Sequence, residues 1–178
     1  MPAIANGDRR ALSRLVTLFA EGLTVLATRY LGNEGDADEV VQDVFMRVWR
    51  NAGRYDPAKA KVGTWLYRIT VNLCIDRQRK RSFFRFIGLE DTPTEIPDPQ
   101  PSAVDRIGGA QKLAQVRAAI DALPNRQRMA LLLNVVSELE NRDIAEAMGI
   151  STGAVEQLLV RARRTLRQST ERMKEDRP

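Results

Sequence analysis

Four arginines, Arg161, Arg163, Arg164 and Arg167, stand at the far end of a segment with the spacing of a helical corner. Within residues 123–167, Ala145 is small enough for a second helix to cross closely, and Gly149 can take the left-handed backbone of a tight turn. Val155 and Leu158 can seal that corner, and Ser151 is placed to cap the helix that follows. This is the pattern of a helix–turn–helix, and guanidinium groups at the end of such a helix neutralise phosphates. Helical proteins in general contain corners of this kind. The arginines and the remainder of the chain turn the pattern towards DNA binding.

A second constellation fills residues 34–82. Asp38, Glu39, Gln42, Asp43 and Arg47 share the polar face of one expected helix. A loop follows, then a helix with Trp65, Tyr67 and Arg68 near its start and Arg77, Arg79, Lys80 and Arg81 near its end. Aromatic rings stack on unpaired bases at about 1–3 kcal/mol each, while cations meet the backbone. The competing reading makes Trp65 a core residue and the basic cluster a solvated helix end favoured by the helix dipole. The residues alone leave both open. Trp49, on the apolar face of its helix, is expected in the core. Cys74 is either a redox sensor or a small buried hydrophobe, and its neighbours Leu73 and Ile75 favour burial.

The elements that position these groups are all helical by period. Asp8 can cap a helix over about 9–31, apolar at Leu12, Leu15, Val16, Phe19, Leu23, Leu26 and Ala27, which Gly32 ends. A helix over about 36–52 puts Ala37, Val40, Val41, Val44, Val48 and Trp49 on one face. A third spans about 62–82, apolar at Trp65, Leu66, Ile69, Leu73 and Ile75. Residues 88–109 hold four prolines and no amphipathic period, so they read as an extended linker between two separate domains. Helices near 110–122, 125–136, 141–148 and 152–170 make the second domain. The expected fold is therefore all-α: domains over 1–85 and 112–178, joined by a flexible Pro-rich acidic linker over 86–111.

Charge follows the same division. The 178 residues carry 28 basic against 23 acidic side chains, net +5. Residues 61–85 hold 7 basic and 1 acidic, net +6, and residues 112–178 hold 12 and 9, net +3. Residues 86–111 between them hold 1 and 5, net −4. Two basic segments flank an acidic one, as suits a phosphate-bearing partner. With no histidine and one cysteine, an internal disulfide, a His-based triad and the usual imidazole or thiolate metal sites are excluded. No cofactor, metal or catalytic site is expected. No apolar run is expected to span a membrane and no signal peptide is evident, so a cytoplasmic location is expected.

Taken together, these stretches resemble the extracytoplasmic-function sigma factors of bacterial RNA polymerase, in the sigma-70 family. DADEVVQDVFMRVWR looks like the polymerase-binding helix of the first sigma domain. GTWLYRITVNLCIDRQRKR looks like its promoter-melting and −10-reading helix. LPNRQR, then RDIAEAMGISTGAVEQLLVRARRTLR, looks like the second sigma domain, which reads the −35 element. The likeness covers about residues 8–82 and 112–168, in the family's order.

The resemblance implies roles. Glu39, Gln42 and Asp43 stand where the family contacts the coiled coil of the polymerase's largest subunit. The loop Tyr55–Thr64, with Lys61, and Asn72 fall where a flipped −10 base is held, which costs a few kcal/mol of unstacking that a pocket must offset. Trp65, Tyr67 and Arg68 help part the strands, and Arg77, Arg79, Lys80 and Arg81 hold the backbone. For the −35 element the matching positions are Arg142, Ser151, Thr152, Ala154, Glu156, Gln157, Arg161, Arg163 and Arg164. Core RNA polymerase, promoter DNA and an inhibitory anti-sigma factor are the implied partners.

The chain also departs from the family's pattern. Ser137-Glu138 replaces the Glu-Gly often found before the helix–turn–helix, so that turn is expected to differ. The recognition helix reads Gly153-Ala154-Val155-Glu156-Gln157-Leu158-Leu159 where the family often has basic residues. Glu156 cannot bind phosphate, although a Glu can accept from cytosine N4 and a Gln can pair with adenine. At least one of Arg161, Arg163 and Arg164 is expected to face solvent or a salt bridge in place of DNA. Three other functions compete: a sigma-like decoy that binds an anti-sigma protein without DNA, a conventional helix–turn–helix regulator using residues 112–178, and, more distantly, a nucleic-acid enzyme.

Overall fold

The computed structural model describes residues 1–87 and 109–175. Among these residues every regular element is helical. In chain order they are α1 (Pro2–Ala5), α2 (Arg9–Leu31), α3 (Glu34–Asn51), a 3-10 turn (Ala52–Arg54) and α4 (Val62–Phe86). The second half holds α5 (Gly109–Asp121), α6 (Asn125–Val135), α7 (Asn141–Met148) and α8 (Thr152–Glu175). The short α1 lies outside the expected helices. α4 runs four residues further than its apolar period indicates, so the first helical body extends to Phe86. Most of the expected linker lies outside the described residues.

Local chemistry sets the boundaries. The Asp8 carboxylate accepts from the Arg10 and Ala11 amides at 2.8 and 3.0 Å, a cap worth about 1 kcal/mol. Gly32 ends α2 at φ 71°, and its amide donates to the Thr28 carbonyl. Asn33 caps α3 by accepting from the Asp36 amide at 2.9 Å, and Glu34 and Asp36 complement the positive end of that helix.

α2 packs along α3, and α4 closes over both. Leu23, Leu26 and Tyr30 of α2 meet Val44 and Val48 of α3 and Leu66, Val71 and Cys74 of α4 in one buried cluster. Ile75, expected in this core, is 39% exposed, because Val71 and Cys74 occupy the inward stripe of α4. In the second half Met129, Leu133, Ile144 and Val155 are fully buried. The two halves do not stand apart: α6 lies against α2 and α7 against α4, and core residues of both join the same cluster. The two expected helical domains are both present, and they are closed on each other where the proline-rich connection led to the expectation of separation. Apolar surface on α2, α4, α6 and α7 accounts for the difference, because packing removes it from water.

By length and composition alone α2 is apolar enough to cross a membrane, a test that core helices also pass. Arg14 and Glu21 interrupt it, and its inward face packs on α3 as a core helix does.

The turn before α7 carries the unusual backbone. Glu138 has φ 52°, the left-handed region, where a Cβ costs roughly 1–2 kcal/mol. The departure at Ser137-Glu138 therefore keeps a glycine-like conformation with a residue that strains it. Glu138→Gly is expected to raise stability by about 1 kcal/mol in chemical denaturation. An unchanged or lower midpoint would count against strain at this turn.

Candidate nucleic-acid interface

On α3, Val40, Val41, Val44 and Val48 face inward, so Glu39, Gln42 and Asp43 on the opposite stripe are exposed. Glu39 already has a partner in Arg77 of α4, whose Nη2 donates to its carboxylate; the Arg77 Nε donates to Asp36 at 2.9 Å. The Glu39 bond, then the Asp36 bond and both charges, outweigh partial burial and raise the Arg77 pKa above its ordinary value. Arg77 is thus a brace between α3 and α4 in this conformation, engaged within the chain and not turned outward. Gln42 rims an open apolar groove of about 520 Å³ with Arg9, Leu12, Phe45, Met46 and Trp49. Trp49 packs against the core as expected but is only partly buried, and its outer side lines this groove.

The loop after α3 is braced by its own aromatic. The Tyr55 hydroxyl donates to the Ala60 carbonyl at 2.8 Å, and the Tyr55 ring lies 5.5 Å from Trp65 in a tilted pair. Trp65 is half-buried against the core, which combines the two readings open for it. Tyr67 fits because Gly22 of α2 has no side chain: a Cβ there would stand 3.2 Å from its hydroxyl. Arg68 and Asn72 are exposed on α4. Thr64 is 3% exposed, so in this conformation it cannot reach DNA as expected.

The basic end of α4 splits by helical phase. Arg77 and Arg81, four residues apart, share a face turned towards α3 and α2, and Arg81 donates to the Leu31 carbonyl at 3.4 Å. Arg79 and Lys80 project outward, with Arg79 held among the described residues by Asp76 at 3.1 Å on the surface. Beyond them Phe83, Phe84 and Phe86 are exposed, the first two with ring centroids 6.1 Å apart. These three were not among the expected site residues. The signal was present in the sequence as aromatics directly following the basic cluster.

The helix–turn–helix forms as its spacing indicates. Gly149 turns the chain at φ 64°, the Ser151 Oγ accepts from the Ala154 amide at 3.2 Å, and Ala145, Val155 and Leu159 seal the corner. Leu158, expected to seal it, is half-buried beside Leu159. Arg142, Ser151, Thr152, Glu156, Gln157, Arg161, Arg163 and Arg164 are exposed, and Ala154 is half-buried. Arg163 donates to the Asn134 side chain of α6 at 3.1 Å, so its partner in its own chain is a neutral amide and not the carboxylate of the expected salt bridge.

Among the described residues, polar contacts at two places tie the halves together. Asp143 of α7 accepts from the Thr64 hydroxyl at 3.1 Å and lies 3.6 Å from the Lys61 ammonium. Arg128 of α6, 7% exposed, sits over the Tyr30 ring of α2 at 4.8 Å. It also donates to the Asp121 carbonyl at 3.3 Å. Burial raises the Tyr30 pKa, and the Arg128 charge partly opposes that rise. Burial likewise pushes the Cys74 thiol up to about 12, as befits the buried reading of this residue. Among the described residues no cluster of three or more His, Cys, Asp or Glu could hold a metal ion.

Comparison with known proteins gives consistent matches. Residues 15–84 match the sigma-70 region 2 family, and residues 113–166 match the sigma-70 region 4 family. The chain is 33% identical over 171 residues to the ECF RNA polymerase sigma factor SigE of Mycolicibacterium smegmatis, covering 92% of this chain. It spans 64% of the length of that relative. It is 33% identical over 168 residues to the ECF RNA polymerase sigma factor SigM of Mycobacterium tuberculosis, covering 93% of this chain and 80% of SigM. Among solved structures, CnrH of Cupriavidus metallidurans in complex with the cytosolic domain of CnrY is similar at a TM-score of 0.69 and 26% identity. That likeness covers 99% of this chain and 96% of CnrH.

Proposed function

The chain belongs to the extracytoplasmic-function sigma factors of the sigma-70 family, and from that premise we propose how its surfaces divide the work of promoter-specific initiation. Its family role is regulatory and non-catalytic: it joins core RNA polymerase in the cytoplasm and directs it to promoter DNA. The observation that carries the division is the first half's pairing of an exposed acidic face on α3 with an aromatic and basic face on α4.

Glu39, Gln42 and Asp43 dock on the polymerase, where exposed carboxylates meet a basic partner and steer the encounter. The loop from Tyr55 with Lys61, Thr64 and Asn72 takes up a flipped base of the −10 element. Trp65, Tyr67 and Arg68 hold the parted strands, so that binding energy within the polymerase complex opens the duplex. Arg79 and Lys80 contact the backbone, with Arg81 beside them and Arg77 bracing α4. The exposed side of α8, from Ser151 and Thr152 through Glu156 and Gln157 to Arg161 and Arg164, lies on the −35 element, with Arg142 at its flank. A partner protein controls the chain, as the solved complex of CnrH with CnrY has one.

Run-off transcription reconstituted with core polymerase tests the whole reading; no polymerase-dependent transcript would end it. The docking face has its own test. Asp43→Arg with Gln42→Ala is expected to weaken core-enzyme binding at least tenfold while the thermal melt stays in place, because both groups are exposed. Unchanged affinity in a folded variant removes the polymerase-docking role. Glu156 on the recognition helix favours one alternative, a decoy that binds its inhibitor without DNA. It would take over if polymerase carrying this chain selected no sequence from randomised promoters.

A further inference from the structure

We infer that the Asp143 carboxylate holds the place of a promoter-strand phosphate at Lys61 and Thr64, so that closure of the two halves and DNA binding at this end of α4 exclude each other. The inference rests on the assignment of Lys61 and Thr64 to the −10 element. Both are donors, an ammonium and a hydroxyl, one turn apart at the start of α4. The acceptor they meet comes from the other half of the chain, 79 residues on. The two oxygens of Asp143 divide between them, Oδ1 accepting from Thr64 at 3.1 Å and Oδ2 lying 3.6 Å from Lys61. A phosphodiester offers the same charge and the same pair of acceptor oxygens.

The exclusion is steric as well as electrostatic. Thr64 is 3% exposed and the Asp143 side chain 18% exposed, so α7 covers the Thr64 side of the pair, while the Lys61 side chain is 81% exposed beside it. Arg128 over Tyr30 holds the halves together at a second point. Meanwhile Glu156, Gln157 and Arg161 on α8 stay exposed. Closure therefore withholds Thr64 and occupies the Lys61 charge, while Arg68, Asn72, Arg79 and Lys80 on α4 and the −35 face of α8 stay open. It acts in the chain by itself, before any inhibitor is bound.

The test uses the full chain and a fluorescent random-sequence oligonucleotide, since a phosphate contact is independent of letters. Asp143→Asn keeps the size of the side chain and removes its charge. Because apparent affinity scales with the open fraction, binding is expected to tighten by roughly three- to tenfold, with a larger radius of gyration in small-angle scattering. Adding Lys61→Ala to that variant is expected to abolish the gain and to flatten the salt dependence by about 0.7–0.9 in slope. Glu140→Gln, which removes an exposed charge one turn away, is expected to leave affinity alone. Asp143→Ala serves as the second opening variant should the asparagine form melt early in circular dichroism.

Unchanged affinity and size in folded Asp143 variants would overturn the inference, as would a gain that survives Lys61→Ala or appears equally in Glu140→Gln. Run-off transcription by the wild-type chain is scored in parallel. A transcribing wild type with indifferent Asp143 variants defeats the internal mimic alone, whereas a silent wild type defeats the sigma-factor reading.

Discussion

Tyr30→Ala is expected to destabilise the chain by about 3–5 kcal/mol, the range for removing a buried aromatic from a packed core. Tyr30 is 1% exposed on α2, with the first half's core beneath it and the Arg128 guanidinium over its ring. Truncation therefore opens a cavity in one half and strips the other of its cation–π contact, itself worth about 0.5–2 kcal/mol. Tyr30→Phe keeps the ring and is expected to cost far less. Urea denaturation followed by tryptophan fluorescence distinguishes them. An alanine variant within 1 kcal/mol of wild type would show that α6 does not pack on α2 in solution.

The second large effect concerns affinity. Arg79→Ala with Lys80→Ala removes the two outward cations of α4, and promoter binding by the polymerase-bound chain is expected to fall about ten- to a hundredfold. The slope of log affinity against log salt should flatten by about 1.8 in magnitude, and the loss should be uniform across promoter sequences. Arg77→Ala makes the contrast. Its guanidinium is engaged by Asp36 and Glu39, so its removal should lower the melting temperature and leave the salt slope nearly unchanged. If Arg77→Ala flattens the slope as much as the outward pair, the brace opens on DNA and Arg77 returns to the backbone.

How far the sequence reached depends on the range of each interaction. Asp8, Gly32, Gly149 and Ser151 act within a turn of themselves, and each stands where its spacing indicates. The face of α3 was legible because its buried valines alternate at helical period, which leaves Glu39, Gln42 and Asp43 outside. The polarity of α4 was harder to read. Apolar, aromatic and basic residues are spread round that helix, so neither the exposure of Ile75 nor the inward turn of Arg77 and Arg81 follows from composition.

What the sequence did not carry was the closure of the halves. Lys61, Thr64 and Asp143 look like ordinary surface residues until the fold brings them together, and a proline-rich acidic connection favours separation by composition. The same holds for Arg128, whose burial depends on a tyrosine nearly a hundred positions earlier. Glu138 shows a third limit. The departure from glycine was visible, but only the backbone angle tells whether the turn changed or the residue was forced to fit. Here the residue was forced.

The sealed Cys74 has a consequence for how this protein can learn about its surroundings. The chain has no imidazole, and its one thiol is buried and stays protonated through the physiological range. The two side chains that most often register acidity or oxidants are thus silent or absent. On the closure inferred above, contact with another molecule is then a route by which a changed environment reaches the chain, and what it alters is how far the two halves stand apart.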